Sequence, residues 1–140
     1  MATTAQYSTA PTIDVSQVTT ANTARDGSGT TVEIAAGPTT ASGSGVGKRI
    51  VGVLVQATGT TTAGTIRFFI SVDGGTTKRL IEEVLVPAIT VATSTPAFQA
   101  NAPGLVGLIL PGQVSSNTQY LYASTEKSET FNIVVSGATY

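Results

Sequence analysis

Lys48-Arg49-Ile50-Val51-Gly52-Val53-Leu54-Val55-Gln56-Ala57-Thr58 is the stretch whose reading decides the fold. Its β-branched side chains crowd the preceding turn of a helix and sit well on a pleated surface. In a strand, side chains alternate between faces. Ile50, Leu54 and Gln56 then share one parity and Val51, Val53 and Val55 the other. Both sets are largely apolar, which predicts a central strand covered on both sides.

Downstream, Gly59–Ala63 turns the chain into Gly64–Val72, a second long strand with Ile66, Phe68 and Ile70 opposed to Arg67, Phe69 and Ser71. Asp73-Gly74-Gly75-Thr76 predicts a two-residue hairpin turn, because Asp-Gly or Gly-Gly tolerates the positive φ of type I′ geometry. Arg79–Val86 returns as the partner strand. Neither of its faces is cleanly apolar, which predicts a bulge near Glu82-Glu83. The Pro87–Pro96 connection is long enough to cross between sheets, and Phe98 marks a short strand within Ala97–Ala100. Leu105–Leu110 is continuously apolar and belongs in the core. Gln119–Ala123 turns Tyr120 and Tyr122 away from Leu121, and Thr130–Ser136 gathers Phe131, Ile133 and Val135 on one face.

Upstream, Thr39–Gly47 has no periodicity and reads as a loop, and Thr30–Ala35 is a short strand carrying Val32 and Ile34. Residues 1–29 show little periodicity and read as an extended N-terminal arm ending in the turn-like Arg25–Gly29. Ile13, Val15 and Val18 are spaced to anchor such an arm on a neighbour. About eight strands joined by Gly, Pro, Ser and Thr turns, with no amphipathic helix, make a β-sandwich of jelly-roll or immunoglobulin-like topology, or a small barrel. The long crossing connection favours the sandwich. The expected fold is therefore all-β: an antiparallel sandwich of about eight strands over 30–140, jelly-roll-like or immunoglobulin-like in topology, preceded by the arm.

Composition narrows function. The 140 residues include no histidine, cysteine or tryptophan. Histidine is the usual general base near neutral pH, and imidazole and thiolate are the common transition-metal ligands. The expectation is a non-enzymatic protein with no cofactor and no metal. Charged residues are 11% of the chain and net charge is −1, against about 25% charged in ordinary soluble domains. Short hydroxyls supply the polarity instead and are cheaper to desolvate than Lys or Glu, which predicts a component of a larger assembly. Basic residues are scattered, with Lys48-Arg49 and Lys78-Arg79 the only adjacent pairs. Nothing here forms the basic stripe that a nucleic-acid partner needs. The start has neither the basic nor the apolar region of a signal peptide, and no apolar run is long enough to span a bilayer. Synthesis in a cytoplasm, without a membrane partner, is expected.

Several motifs invite chemistry and fail on spacing. In Gly43-Ser44-Gly45-Val46-Gly47-Lys48, Ser42 stands where a phosphate loop needs its first glycine and Arg49 where it needs Ser or Thr, and a strand follows where a helix is required. Glu82 and Glu83 are adjacent, so a strand points them to opposite faces and they cannot flank one bond. A solvated position or a contact with Arg79 is expected. Asp73 is expected to shape its turn as a side-chain acceptor. Tyr120 and Tyr122 share a strand face, where rings pack on protein or stack on sugar.

The stretch Gly64–Glu83, GTIRFFISVDGGTTKRLIEE, with Pro96-Ala97-Phe98, Leu108–Pro111 and Thr130-Phe131-Asn132-Ile133, resembles the small jelly-roll or β-sandwich proteins that decorate and cement the capsids of tailed bacteriophages. The resemblance covers roughly 30–140. It implies a virion structural protein on the capsid outer surface, a homo-oligomer (commonly a trimer) that bridges subunits of the major capsid protein through an N-terminal arm. Under it, Ile13, Val15 and Val18, with Tyr7, would be the arm's anchors, and the Tyr120–Tyr122 face a second contact. A tail, head-fibre or adaptor module that recognises a host glycan through those tyrosines is the alternative.

Overall fold

The computed structural model describes residues 10–43 and 45–140. Among the described residues nine strands form two antiparallel sheets, and no α-helix interrupts them. They are β1 (Ala10–Val18), β2 (Val32–Ala36), β3 (Gly47–Ala57), β4 (Gly64–Ser71), β5 (Arg79–Val86), β6 (Gln99–Asn101), β7 (Ile109–Pro111), β8 (Tyr120–Thr125) and β9 (Phe131–Thr139). A single turn of 3-10 helix, Pro103–Leu105, lies between β6 and β7. The first sheet has the order β1-β9-β3-β6, with β7 beside the other end of β3, and the second the order β2-β8-β4-β5. If β6 and β7 count as one interrupted edge strand, the chain pairs first with last, second with second-last, and so on inward to the β4–β5 hairpin. That is a long hairpin rolled onto itself, the jelly roll.

The sheets pack face to face over one core. Ile50, Val53, Val55, Ile133 and Val135 of the first sheet meet Ile66, Phe68, Leu121 and Ala123 of the second, all at most 2% exposed. Phe131 and Leu110 close the ends. The Pro87–Pro96 connection does cross between sheets, from β5 to β6. Of the apolar run Leu105–Leu110, Leu105 and Leu110 are buried, while Val106 and Ile109 face solvent.

Three bulges re-aim the strands. In β3 the register against β9 slips between Ile50 and Gly52, so that Val51 is the extra residue. The parity switch lets Ile50, Val53, Val55 and Ala57 all face the core and leaves Val51 58% exposed. A bulge, not cover on both sides, explains the apolar residues on both parities. The backbones approach closely here: a Cβ on Gly137 would clash with the Arg49 carbonyl oxygen. On β5 the slip falls between Leu80 and Glu82, leaving Ile81 extra, one residue before the expected position. On β2 it leaves Ile34 extra, and Ile34 and Ala35 are both buried.

The connection after β4 is longer than a two-residue hairpin, running from Val72 to Lys78. Asp73 organises it as an acceptor, taking hydrogen bonds from Ser71 Oγ (2.9 Å) and the Thr77 amide (2.8 Å). Gly74 and Gly75 supply the positive φ values, +75° and +93°. These donors hold the Asp73 carboxyl down at about 2.

The segment expected as an arm is extended over 10–18 but lies against its own chain. β1 pairs with β9 along its whole length, from Ala10↔Thr139 to Val18↔Phe131. Residues 19–31 then cross the outer face of the second sheet. The Asn22 amide donates to the Thr125 carbonyl of β8, and the Asn22 carbonyl accepts from Arg67 of β4. Arg25 reaches Glu83 of β5, and Gly27 seats against Lys78. Asn22 Nδ2 closes the neck of this strap by donating to the Ser28 and Thr30 carbonyls.

Candidate docking surface

The two outer faces of the sandwich differ. That of the second sheet is covered by the strap. Phe68 and Phe69 are neighbours in β4, so they point to opposite faces, yet both are 0% exposed. Phe68 belongs to the core between the sheets and Phe69 does not. Arg67, on the same outer face, is 2% exposed and is satisfied by Glu83 (2.9 Å), Glu126 (3.5 Å) and the Asn22 carbonyl. Glu83 accepts from Arg25 as well, and these hydrogen bonds, that of Arg25 foremost, lower its carboxyl against the opposing effect of burial. Glu83 thus sits at an exposed position, one of the two expected outcomes, and its ion-pair partners are Arg25 and Arg67, not Arg79. Glu82 takes the other parity and approaches Gly104, so the two carboxylates do not converge.

Tyr120 and Tyr122 lie on this second outer face, half-buried, away from buried Leu121 as expected. Their centroids are 5.9 Å apart but the rings are tilted by 53°, so they do not form one stacking plane. Lys78 Nζ sits 4.9 Å from the Tyr122 ring centroid, a cation–π contact from the chain's own loop. Burial and the facing carboxylate of Glu33 raise the Tyr122 hydroxyl above its ordinary range. Tyr122 is thereby engaged within its own domain.

The outer face of the first sheet has no such strap among the described residues. Its cross-strand rows follow from the register. Val15, Val134 and Leu54 stand side by side across β1, β9 and β3. Gln17, Asn132, Gln56 and Gln99 form the next row, with Gln17 Nε2 donating to Asn132 Oδ1 at 3.0 Å. Ile13, Ser136 and Gly52 form the row on the other side, with bulged Val51 beside them. None of these three rows carries a charge, and Arg49 stands in the row beyond the bulge, opposite Ala138 and Ile109. The face is an apolar centre in a rim of neutral amides and hydroxyls, a composition that sheds water at low cost.

Of the sequence-predicted contact residues, Ile13 and Val15 are exposed on this face, at 69% and 66%. Val18 is 1% exposed and packs in the chain's own core, so it offers nothing to a partner. Tyr7 lies outside the described residues. Leu54, Val134 and Val51 were not singled out from sequence: the bulge on β3 hid the direction of Val51 and Leu54, whereas Val134 follows from the alternation of Phe131, Ile133 and Val135. A groove of about 330 Å³ opens between β1 and β2, lined by Asp14, Ser16, Glu33 and Lys48. Within it Lys48, 5% exposed, is paired with Asp14. Among the described residues no three of Asp or Glu come together to hold a metal ion.

No family model, no curated protein and no solved structure matches the chain.

Proposed function

We propose that the protein is a virion structural component that decorates a phage capsid and cements it by bridging subunits of the major capsid protein. The observation that carries this reading is the asymmetry of the sandwich: one outer face closed by the chain's own strap, the other open, nearly uncharged and apolar at its centre. Such a face is suited to being covered permanently. A low-charge, hydroxyl-rich surface suits dense packing on a shell, where each copy has many neighbours and charge would have to be desolvated. The role is passive: each docked copy adds buried area that must be broken before the shell opens. A standard interface of about 1,600 Å² in total is within reach of one sheet face and its rim.

The tilted tyrosines, one of them capped by Lys78, give the glycan-binding alternative no platform. The test is co-sedimentation with shells assembled from the major capsid protein of the phage that carries this chain, prepared without it. The protein should pellet with the shells, and Leu54→Lys and Val134→Lys should leave it in the supernatant while still folding. Failure of the unaltered protein to pellet, or undiminished pelleting of both variants, overturns the reading.

A further inference from the structure

We infer that β1 is the contact by which two copies of this chain pair, antiparallel and edge to edge, around a twofold axis. The inference concerns self-association alone and stands whether or not the protein belongs to a virion.

An unpaired sheet edge is a template for another strand, and proteins blunt edges they do not use with charge, bulges, brevity or proline. Three of the four edges here are blunted. β5 carries a bulge at Ile81 and the charges of Arg79 and Glu83. β2 has five residues, a bulge at Ile34 and Glu33 pointing out. The β6/β7 edge is broken into two pieces of three residues. β1 is nine residues long and unbulged against β9, and no described strand pairs with its other side. It does carry two of the protective devices, Pro11 at its start and the inward-pointing charge of Asp14, but the proline leaves the rest of the strand free and the charge is neutralised by Lys48.

The polarity of β1 is also inverted. Thr12, Asp14 and Ser16 face inward, half-buried along the groove, while Ile13 and Val15 face out and are about two-thirds exposed. A strand built this way gains only when its outer face acquires a neighbour. A second β1 supplies one. Residues directly opposite in an antiparallel pair must share a face, so the twofold passes through a residue, not between two. Centred on Asp14 it would oppose two carboxylates, which is unfavourable. Centred on Ile13 or Val15 it opposes identical apolar side chains on the outer face and sets Asp14 against Thr12 or Ser16 instead of against itself. The joined sheet then carries the Val15–Val134–Leu54 row of both copies on one surface. A twofold contact of this kind is isologous and closes at two copies, so it yields a dimer where the capsid resemblance implies a trimer.

The test is sedimentation velocity of the full chain over a concentration series, with thermal unfolding as the folding control. The unaltered protein should run at twice its 14.1 kDa mass. Ile13→Lys and Val15→Lys, at exposed positions, should keep the fold and weaken dimerisation at least tenfold. The decisive arm mixes charge variants: for the residue on the axis, the Lys and Glu forms should each be monomeric alone and dimeric together, because that side chain faces its own copy. A monomer at every concentration, a trimer, or a dimer unaffected by both lysine variants overturns the proposal.

Discussion

Phe69 offers a direct test of how the sandwich is closed. On a two-layer sandwich, the outer-facing member of the Phe68-Phe69 pair would be wet, and truncating it would cost little. Here Phe69 is as buried as Phe68, with Tyr122 and Leu80 opposite it on the flanking strands and residues 19–31 crossing over the sheet. Its truncation should therefore cost what a core phenylalanine costs, about 3–5 kcal/mol. That is a large share of the 5–15 kcal/mol that ordinarily separates folded from unfolded domains. At about 2–4 °C per kcal/mol for a chain near this size, the melting temperature should fall by roughly 6–20 °C. The assay is urea unfolding of Phe68→Ala and Phe69→Ala followed by circular dichroism. Gly27→Val tests the strap separately. It places a side chain at φ +86° and 2.6 Å from the Lys78 carbonyl, which lifts the strap from the sheet. In the double variant the two costs should fall well short of additive, since a raised strap no longer covers Phe69. A cost below about 1 kcal/mol for Phe69→Ala, typical of a surface site, or full additivity with Gly27→Val, refutes the reasoning.

Two further predictions follow from named contacts. Arg67→Ala should destabilise by about 3–5 kcal/mol, because it empties a buried slot and removes one partner of Glu83 and Glu126, whereas Arg67→Met, which refills the slot while Arg25 still pairs with Glu83, should cost clearly less; equal losses in chemical unfolding would overturn this and show that the lost ion pairs, not the lost volume, set the cost. The Asp73 carboxyl lies below its ordinary value in the folded state, at about 2 against 3.8, so its contribution is complete above about pH 4 and is lost as pH falls through 2. Asp73→Asn should therefore lower stability at neutral pH and match the unaltered protein near pH 2, and a difference that persists at low pH would contradict that assignment.

The strand plan was legible because period-two alternation survives wherever a strand has one dry face, as Phe131, Ile133 and Val135 show. Bulges defeat that reading. In Ile50–Val55 both parities are apolar, and nothing local separates a strand covered twice from one that switches parity at Val51. The separating fact is the close approach of Gly137 to Arg49, some ninety residues away. The N-terminal segment was obscured for the same reason. β1 depends on β9 at the far end of the chain, and its inward residues are Thr, Asp and Ser, so no core stripe announces a strand. Ile13 and Val15 were legible as exposed apolar positions because that inversion is written in the sequence. Val18 was misplaced with them, although it takes the opposite parity in β1 and faces inward with Thr12, Asp14 and Ser16, opposite buried Phe131. Arg67 and Phe69 looked like a solvent-facing parity, and only residues 19–31 make them buried.

The open face and the open edge meet at β1. One copy alone presents a face bounded on one side by a strand whose apolar side chains have neighbours on β9 only. Pairing at β1 would place two such faces on one continuous sheet, in fixed relation and without a linker. A surface that engages one face then holds the second at high effective concentration, so that affinity rises with no new kind of contact. On that logic the lysine variants at Ile13 and Val15 act twice, removing the partner copy and with it the bivalence, whereas Leu54→Lys acts at the face alone. Restoring the dimer by mixing Lys and Glu forms at the axis should then recover shell binding for the first class of variant and not for the second.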